Sequence, residues 1–256
     1  MTAVMRELVR VVEDVAADAW PAAFVRLVDG WRLRATPGVE VRRSNSVLPI
    51  GAGGMNIEAK LAAADGFFAE HGIRPRYQIS PAAVPPELDG LLAERGFEIE
   101  MESDVQVGEL AVLVERSRGR APGIEVAVDP TPTEPWLDTF LELTARGERS
   151  VFRSAILDRI DRPVRYASVP GADGVMAVGM GVVVDSWMGI FSMVTRPEAR
   201  RRGCASAILR ELATAGGAIG AERAFLQTER TNAASHALYE GLGFATAYGY
   251  HYRTAR

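Results

Sequence analysis

Between Gly189 and Leu212 an apolar strand pattern, Ile190 to Val194, gives way to Thr195-Arg196-Pro197-Glu198-Ala199, then to Arg200-Arg201-Arg202-Gly203-Cys204-Ala205, and then to a helical pattern. At a strand-to-helix junction, free backbone N–H groups and the positive end of the helix dipole converge. Cations placed there oppose the dipole, at a cost of about 0.3–1 kcal/mol each. Three in succession point to an anion that compensates them, and a phosphate fits; a merely solvated helix start is the competing reading. Gly203 and Ala205 suit a backbone that must approach its ligand closely. No Lys-Ser or Lys-Thr follows the glycine, and G-x-G-x-x-G is absent, which argues against nucleoside triphosphate hydrolysis and a dinucleotide fold.

Arg-x-x-Gly-x-Ala after a strand resembles the pyrophosphate-binding loop of the GNAT acetyltransferase superfamily, where it holds the diphosphate of acetyl-CoA. Downstream, Phe225-Leu226-Gln227-Thr228-Glu229-Arg230-Thr231-Asn232 is followed by Leu238-Tyr239 and Gly243-Phe244, similar to the second GNAT motif at its usual spacing. The two motifs cover about residues 185–246.

The resemblance implies acetyl-CoA as co-substrate and direct transfer to a primary amine. Donor contacts are expected from Ser192, Met193 and Val194 on the strand, from Arg200, Arg201, Arg202, Gly203, Cys204 and Ala205 in the loop, and from Asn232, which also suits a helix N-cap. Tyr239 falls where GNAT enzymes carry the phenol that protonates the departing thiolate; a core aromatic is the alternative. An alkylammonium is only about one part in a thousand neutral at pH 7, so the acceptor must lose a proton. The position matching the family's glutamate is Gln227, which cannot serve. Glu229, Asp185 and Glu148 are substitutes, as is a water relay. A non-catalytic acyl-CoA-binding regulator and transfer of another acyl group stay open, and so does the acceptor: polyamine, aminoglycoside, lysine or protein N-terminus.

The rest of the chain shows a second order of the same kind. Met5 to Trp20 reads as an amphipathic helix stopped by Pro21, Phe24 to Ala35 as a hairpin turning at Asp29-Gly30, and Val39 to Leu48 as a strand. Gly51-Ala52-Gly53-Gly54 then leads into a helical pattern from Asn56 to His71, with a strand at Arg76 to Ile79 and a helix from Pro86 to Glu94. Leu91-Leu92-Ala93-Glu94-Arg95-Gly96-Phe97 parallels Leu238-Tyr239-Glu240-Gly241-Leu242-Gly243-Phe244, 147 residues on. The expected fold is α/β: a GNAT fold with a mixed central sheet flanked by helices, present as two tandem halves. Residues 1–120 form the degenerate half and 121–256 the catalytic one, divided in the turn-prone Arg116 to Pro122. The first half has no arginine in its glycine loop and has Leu92 where the second has Tyr239, although its backbone amides leave a second CoA site open. In the second half, strands are expected at Ile124 to Val128, Val164 to Val169 and Val175 to Val184, a helix at Pro135 to Arg146, a helix at Ser235 to Glu240 and a last strand at Ala245 to Arg253.

Composition narrows the classes. A net charge of −4 over 256 residues leaves the arginine loop as the one dense basic cluster, too local for a nucleic-acid duplex. The lone Cys204 makes no internal disulfide, and Glu13, Asp14 and Asp18 interrupt the first twenty residues. No apolar run of membrane-spanning length occurs. A cytoplasmic protein with neither membrane nor nucleic-acid partner is expected, and His71, His236 and His251 lack metal-ligand spacing, so no metal is expected. Oligomeric state is not legible.

Overall fold

The computed structural model describes residues 2–144 and 148–256. Thr2 caps the first helix, its hydroxyl accepting from the Met5 amide at 3.2 Å. Helix α1 (Ala3–Ala19) buries Val9, Val12, Ala16 and Ala19 and ends before Pro21. Strands β1 (Phe24–Val28) and β2 (Trp31–Ala35) form the expected hairpin, with Asp29 and Gly30 at φ 46° and 87°. Such positive φ values let a two-residue turn follow the twist of the strands.

The strand expected over Val39 to Leu48 shrinks to β3 (Val47–Leu48), preceded by a 3-10 turn at Arg42–Ser44. Asn45 is the reason. Its Oδ1 accepts from the Thr36 amide at 2.7 Å, while its Nδ2 donates to the carbonyls of Val39 (2.8 Å) and Val41 (3.1 Å). These local bonds satisfy backbone groups that a sheet ladder would otherwise use.

There follow α2 (Ile57–Glu70), β4 (Arg76–Ile79), α3 (Leu88–Glu94), the long strand β5 (Glu98–Glu109) and α4 (Leu110–Ser117). The second half continues with β6 (Ala127–Asp129), α5 (Glu134–Thr144), α6 (Arg149–Ala155), β7 (Val164–Gly171), β8 (Gly174–Val184) and β9 (Trp187–Thr195). It closes with α7 (Cys204–Gly217), β10 (Arg223–Glu229), α8 (Ala233–Gly241) and β11 (Ala245–Thr254). The expected helix end at Arg146 lies outside the described residues.

All these strands join one mixed sheet in the order β1-β2-β3-β4-β11-β5-β10-β9-β8-β7-β6. Matching elements of the two halves start a constant 147 residues apart: Ile57 and Cys204 for α2 and α7, Arg76 and Arg223 for β4 and β10, Glu98 and Ala245 for β5 and β11. The last strand of each half crosses to the other. Strand β5 pairs with β10, and β11 pairs with β4, both antiparallel, and the two crossing strands also pair with each other. Helix α1 likewise lies across β8 and β9 of the second half. Arg116 and Ser117, expected in the linker, instead finish α4.

Apolar packing follows the two faces of the sheet. On one, α1, α5 and α6 bury Val12, Trp20, Trp136, Phe152 and Phe225 together. On the other, α2 and α3 enclose Trp31, Phe67, Tyr77 and Leu92, while α4, α7 and α8 enclose Leu113, Ile208, Leu212 and Tyr239. Each large apolar side chain removed from water contributes about 1.5–3 kcal/mol, so the exchanged strands hold the halves together. Among the described residues, no helix is long and apolar enough to cross a membrane.

Candidate active site

The site opens where β9 leaves β10. Their parallel ladder runs from Arg223↔Trp187 to Phe225↔Gly189 and stops there. Beyond that rung β10 stays paired with β5 as far as Glu229↔Ser103, so the β10 edge facing β9 is left without strand partners. On its other side β9 carries a bulge. Met180 pairs with Phe191 and Val178 with Val194, so that Ser192 and Met193 together oppose Gly179. Ser192 takes φ 56°, the left-handed conformation that re-aims a strand's amides. Gly179 leaves room for the Met193 side chain, since a Cβ on it would lie 2.3 Å from the Met193 sulfur, which would have to move.

A cleft of about 910 Å³ fills the gap, walled by Ile190 to Val194, Leu226 to Glu229, Asn232 and Tyr239. Of the expected donor contacts, Ser192, Met193, Val194 and Asn232 line it. Asn232 caps α8, its Oδ1 accepting from the Ser235 amide at 3.2 Å. Tyr239 is buried on α8 with its ring edge-on to Phe244 (5.9 Å), and burial pushes its phenol up to about 12.

The arginine loop reaches α7 through Arg201 and Gly203, at φ 61° and 91°. Arg200, Arg201 and Arg202 are exposed and form no ion pair among the described residues, whereas Arg196 is held by Glu142 at 2.7 Å. No side chain caps α7, as none caps α3, α4 or α6, whereas Thr2, Asn56 and Asn232 cap α1, α2 and α8. Uncapped amides beside three unpaired guanidinium groups suit a diphosphate. Gly203 answers to the linker as well as to a ligand: a Cβ there would meet the Arg120 carbonyl at 2.9 Å. Cys204 is buried and Ala205 half-buried.

The candidate bases separate. Glu229 lines the cleft and is exposed at the free end of β10. Asp185 sits in the β8–β9 turn, at the far end of β9 from the bulge, and Glu148 stands just before α6, outside the cleft lining, so neither is placed to take a proton there. Gln227 also lines the cleft, accepting from the Tyr250 hydroxyl at 3.3 Å.

The opposite wall was not legible in the sequence. It comes from Trp20, Arg42 and Arg43 of the first half, from Met101 and Ser103 of β5, and from Tyr250 and Tyr252 of β11. Behind it Arg34 donates to Ser46 Oγ (2.9 Å) and Gln78 Oε1 (2.8 Å), while Gln78 Nε2 donates to Glu13 Oε2 (2.7 Å). Desolvation raises the Glu13 carboxyl to about 7 and lowers Arg34 to about 10.

The equivalent place in the first half is closed. Pro49 follows β3 and its carbonyl accepts from the Val84 amide at 2.7 Å. The glycine loop's amides at Gly54 and Met55 donate to the Asp29 carboxylate at 3.0 and 2.8 Å. Lys60 neutralises that carboxylate at 3.0 Å and, with the amides, holds it below the usual carboxylate range.

A family profile described as "Probable histone acetyltransferase Rv0428c C-terminal" matches residues 7–253. The chain belongs to this family of GNAT acetyltransferases. Among GNAT relatives, the uncharacterized N-acetyltransferase YobR of Bacillus subtilis is 29% identical over 252 residues, which cover 97% of this chain and 99% of that protein. The probable histone acetyltransferase Rv0428c of Mycobacterium tuberculosis is 26% identical over 243 residues, 92% of this chain and 70% of that protein. A solved GCN5-related N-acetyltransferase from Kribbella flavida shares the GNAT fold at a TM-score of 0.70 and 13% identity, over 99% of this chain and 96% of that one. A tandem GNAT protein from the clavulanic acid biosynthesis pathway superposes at 0.59 and 16% identity, over 77% of this chain and 69% of that one.

Proposed function

We propose that this GNAT protein transfers an acetyl group from acetyl-CoA to a primary amine, with one donor site per chain in the second half. One observation carries the reading: the β9–β10 ladder stops at Gly189, short of the bulge at Ser192 and Met193, and the chain leaving β9 runs through the arginine loop into a helix whose amides no side chain caps. Exposed Arg200, Arg201 and Arg202, with the amides after Gly203, would hold the diphosphate. Amides of Ser192 to Val194 would hold the pantetheine arm and orient the acyl group, with Asn232 on the other wall. The acceptor nitrogen forms its bond to the acyl carbon as the carbon–sulfur bond breaks. Tyr239 gives the thiolate its proton, and Glu229 receives the acceptor's proton through water.

We further read residues 1–120 and 121–256 as two GNAT-like units that have exchanged their last strands, the first retained as one wall of the cleft. Calorimetric titration with acetyl-CoA and thiol release across a panel of amines test the reading. One site per chain together with amine-dependent thiol release is expected; the absence of acetyl-CoA binding overturns it.

A further inference from the structure

On the cleft wall facing the bulge stands a cation that forms no ion pair among the described residues. Arg43 is the middle residue of the 3-10 turn, and its neighbour Arg42 is pinned to Glu100 at 2.7 Å. Its guanidinium carbon lies 5.2 Å from the ring centre of Phe191 and 5.7 Å from that of Trp20. Phe191 immediately precedes the bulge residue Ser192, so the guanidinium is held beside the point where the acyl group would be presented. Its Nη1 is buried and meets no acceptor among the described residues, although the side chain lines the cleft.

The groups packed around Arg43 do not supply that acceptor. Glu13 from α1 acts on it across space and forms no ion pair with it among the described residues. Tyr250 and Tyr252 from β11 line the same wall, and Arg34 adds a buried cation behind the half-buried Arg43. Leaving a buried donor without a partner is unfavourable, and an aromatic face is a weaker partner for it than a hydrogen-bond acceptor. A planar guanidinium held beside such rings keeps the fork geometry that matches a carboxylate. A polycationic acceptor would bring like charge to this wall.

We propose that the acceptor amine also carries a carboxylate, as a free amino acid does, and that Arg43 binds this carboxylate while the amine faces the bulge. The proposal rests on the acyl-transfer reading of the same cleft. Turnover should be compared for amino acids and the amines that lack only the carboxylate, such as lysine with cadaverine, phenylalanine with phenethylamine and histidine with histamine. In the accepted pair the carboxylate should raise kcat/KM by about 10²-fold or more, mostly through KM. Arg43→Gln should bring the pair to within about tenfold, and Arg43→Lys, which keeps charge without the fork, should fall between. An amine preferred over its amino acid, a ratio unchanged in either folded variant, or a peptide acceptor surpassing every amino acid would overturn it. Should no acceptor yield thiol, the transfer reading fails separately. Calorimetric titration with the same amino acids then decides the carboxylate site, and binding that Arg43→Gln does not weaken, or no binding, ends it.

Discussion

The Asp29 carboxylate accepts the backbone amide of Met55 at 2.8 Å, which puts an internal anion where the second half leaves its loop open. Met55 stands 147 residues before Arg202, and the 14-residue helices that follow, α2 and α7, correspond throughout. With the amides of Gly54 and Met55 engaged and Lys60 neutralised, an external diphosphate loses these two donors and this cation. Titration with acetyl-CoA should therefore give one site per chain. Asp29→Asn should lower the melting temperature, because Lys60 is buried and loses its counter-charge, and the stoichiometry should stay at one. A stoichiometry of two in the wild-type chain would show that the first half is a working site.

Arg200→Ala with Arg202→Ala should weaken acetyl-CoA binding at least about thirtyfold, about 2 kcal/mol, since charged hydrogen bonds to phosphate contribute that much. Both side chains are exposed, so the thermal midpoint should hardly move. Calorimetry on the folded double variant with unchanged affinity would remove the loop from the donor site.

Tyr239→Phe keeps the edge-on contact with Phe244 and deletes only the hydroxyl, so kcat should drop by about 10²–10⁴ with little change in the acetyl-CoA KM. Burial raises the phenol to about 12, so its proton-bearing form persists through the accessible alkaline range. The wild-type kcat profile should consequently show no alkaline fall from this group below about pH 11. Wild-type turnover in the variant would make Tyr239 a packing residue.

Glu100 joins three elements: Arg42 at 2.7 Å, Arg76 at 3.2 Å and the Thr254 hydroxyl at 2.7 Å. Partial burial alone would raise its carboxyl, but the Thr254 hydrogen bond and the two guanidinium groups outweigh it and bring the value down from 4.5 to about 2. A lowered folded-state value means that its contribution is full above pH 4.5 and is lost as pH falls towards 2. Glu100→Gln should cost about 1 kcal/mol or more at pH 7, and the gap to wild type should close across that acid window in urea titrations. A constant gap from pH 7 to pH 2 would contradict the linkage.

Much of this fold was written locally. Asp29-Gly30 demanded a hairpin, Arg76 to Ile79 a strand, and the run after Gly203 a helix, because each depends on backbone preferences within a few residues. The 147-residue spacing was equally visible, as were the cleft residues Asn232 and Tyr239, because the motif carries them on adjoining elements.

Tertiary structure decided what depends on distant partners. The sequence gives no sign that β5 and β11 trade places, since either strand's pattern of side chains fits either neighbour; the exchange follows from burying one continuous sheet. The strand expected at Val39 to Leu48 yielded to Asn45, whose bonds to Thr36, Val39 and Val41 form only once the hairpin has folded beside it. Arg43 reads in the sequence as one more surface cation. Only when α1 brings Trp20 and the bulge brings Phe191 against it does its charge face a cleft, because the energy of an unpaired guanidinium is set by what surrounds it in space.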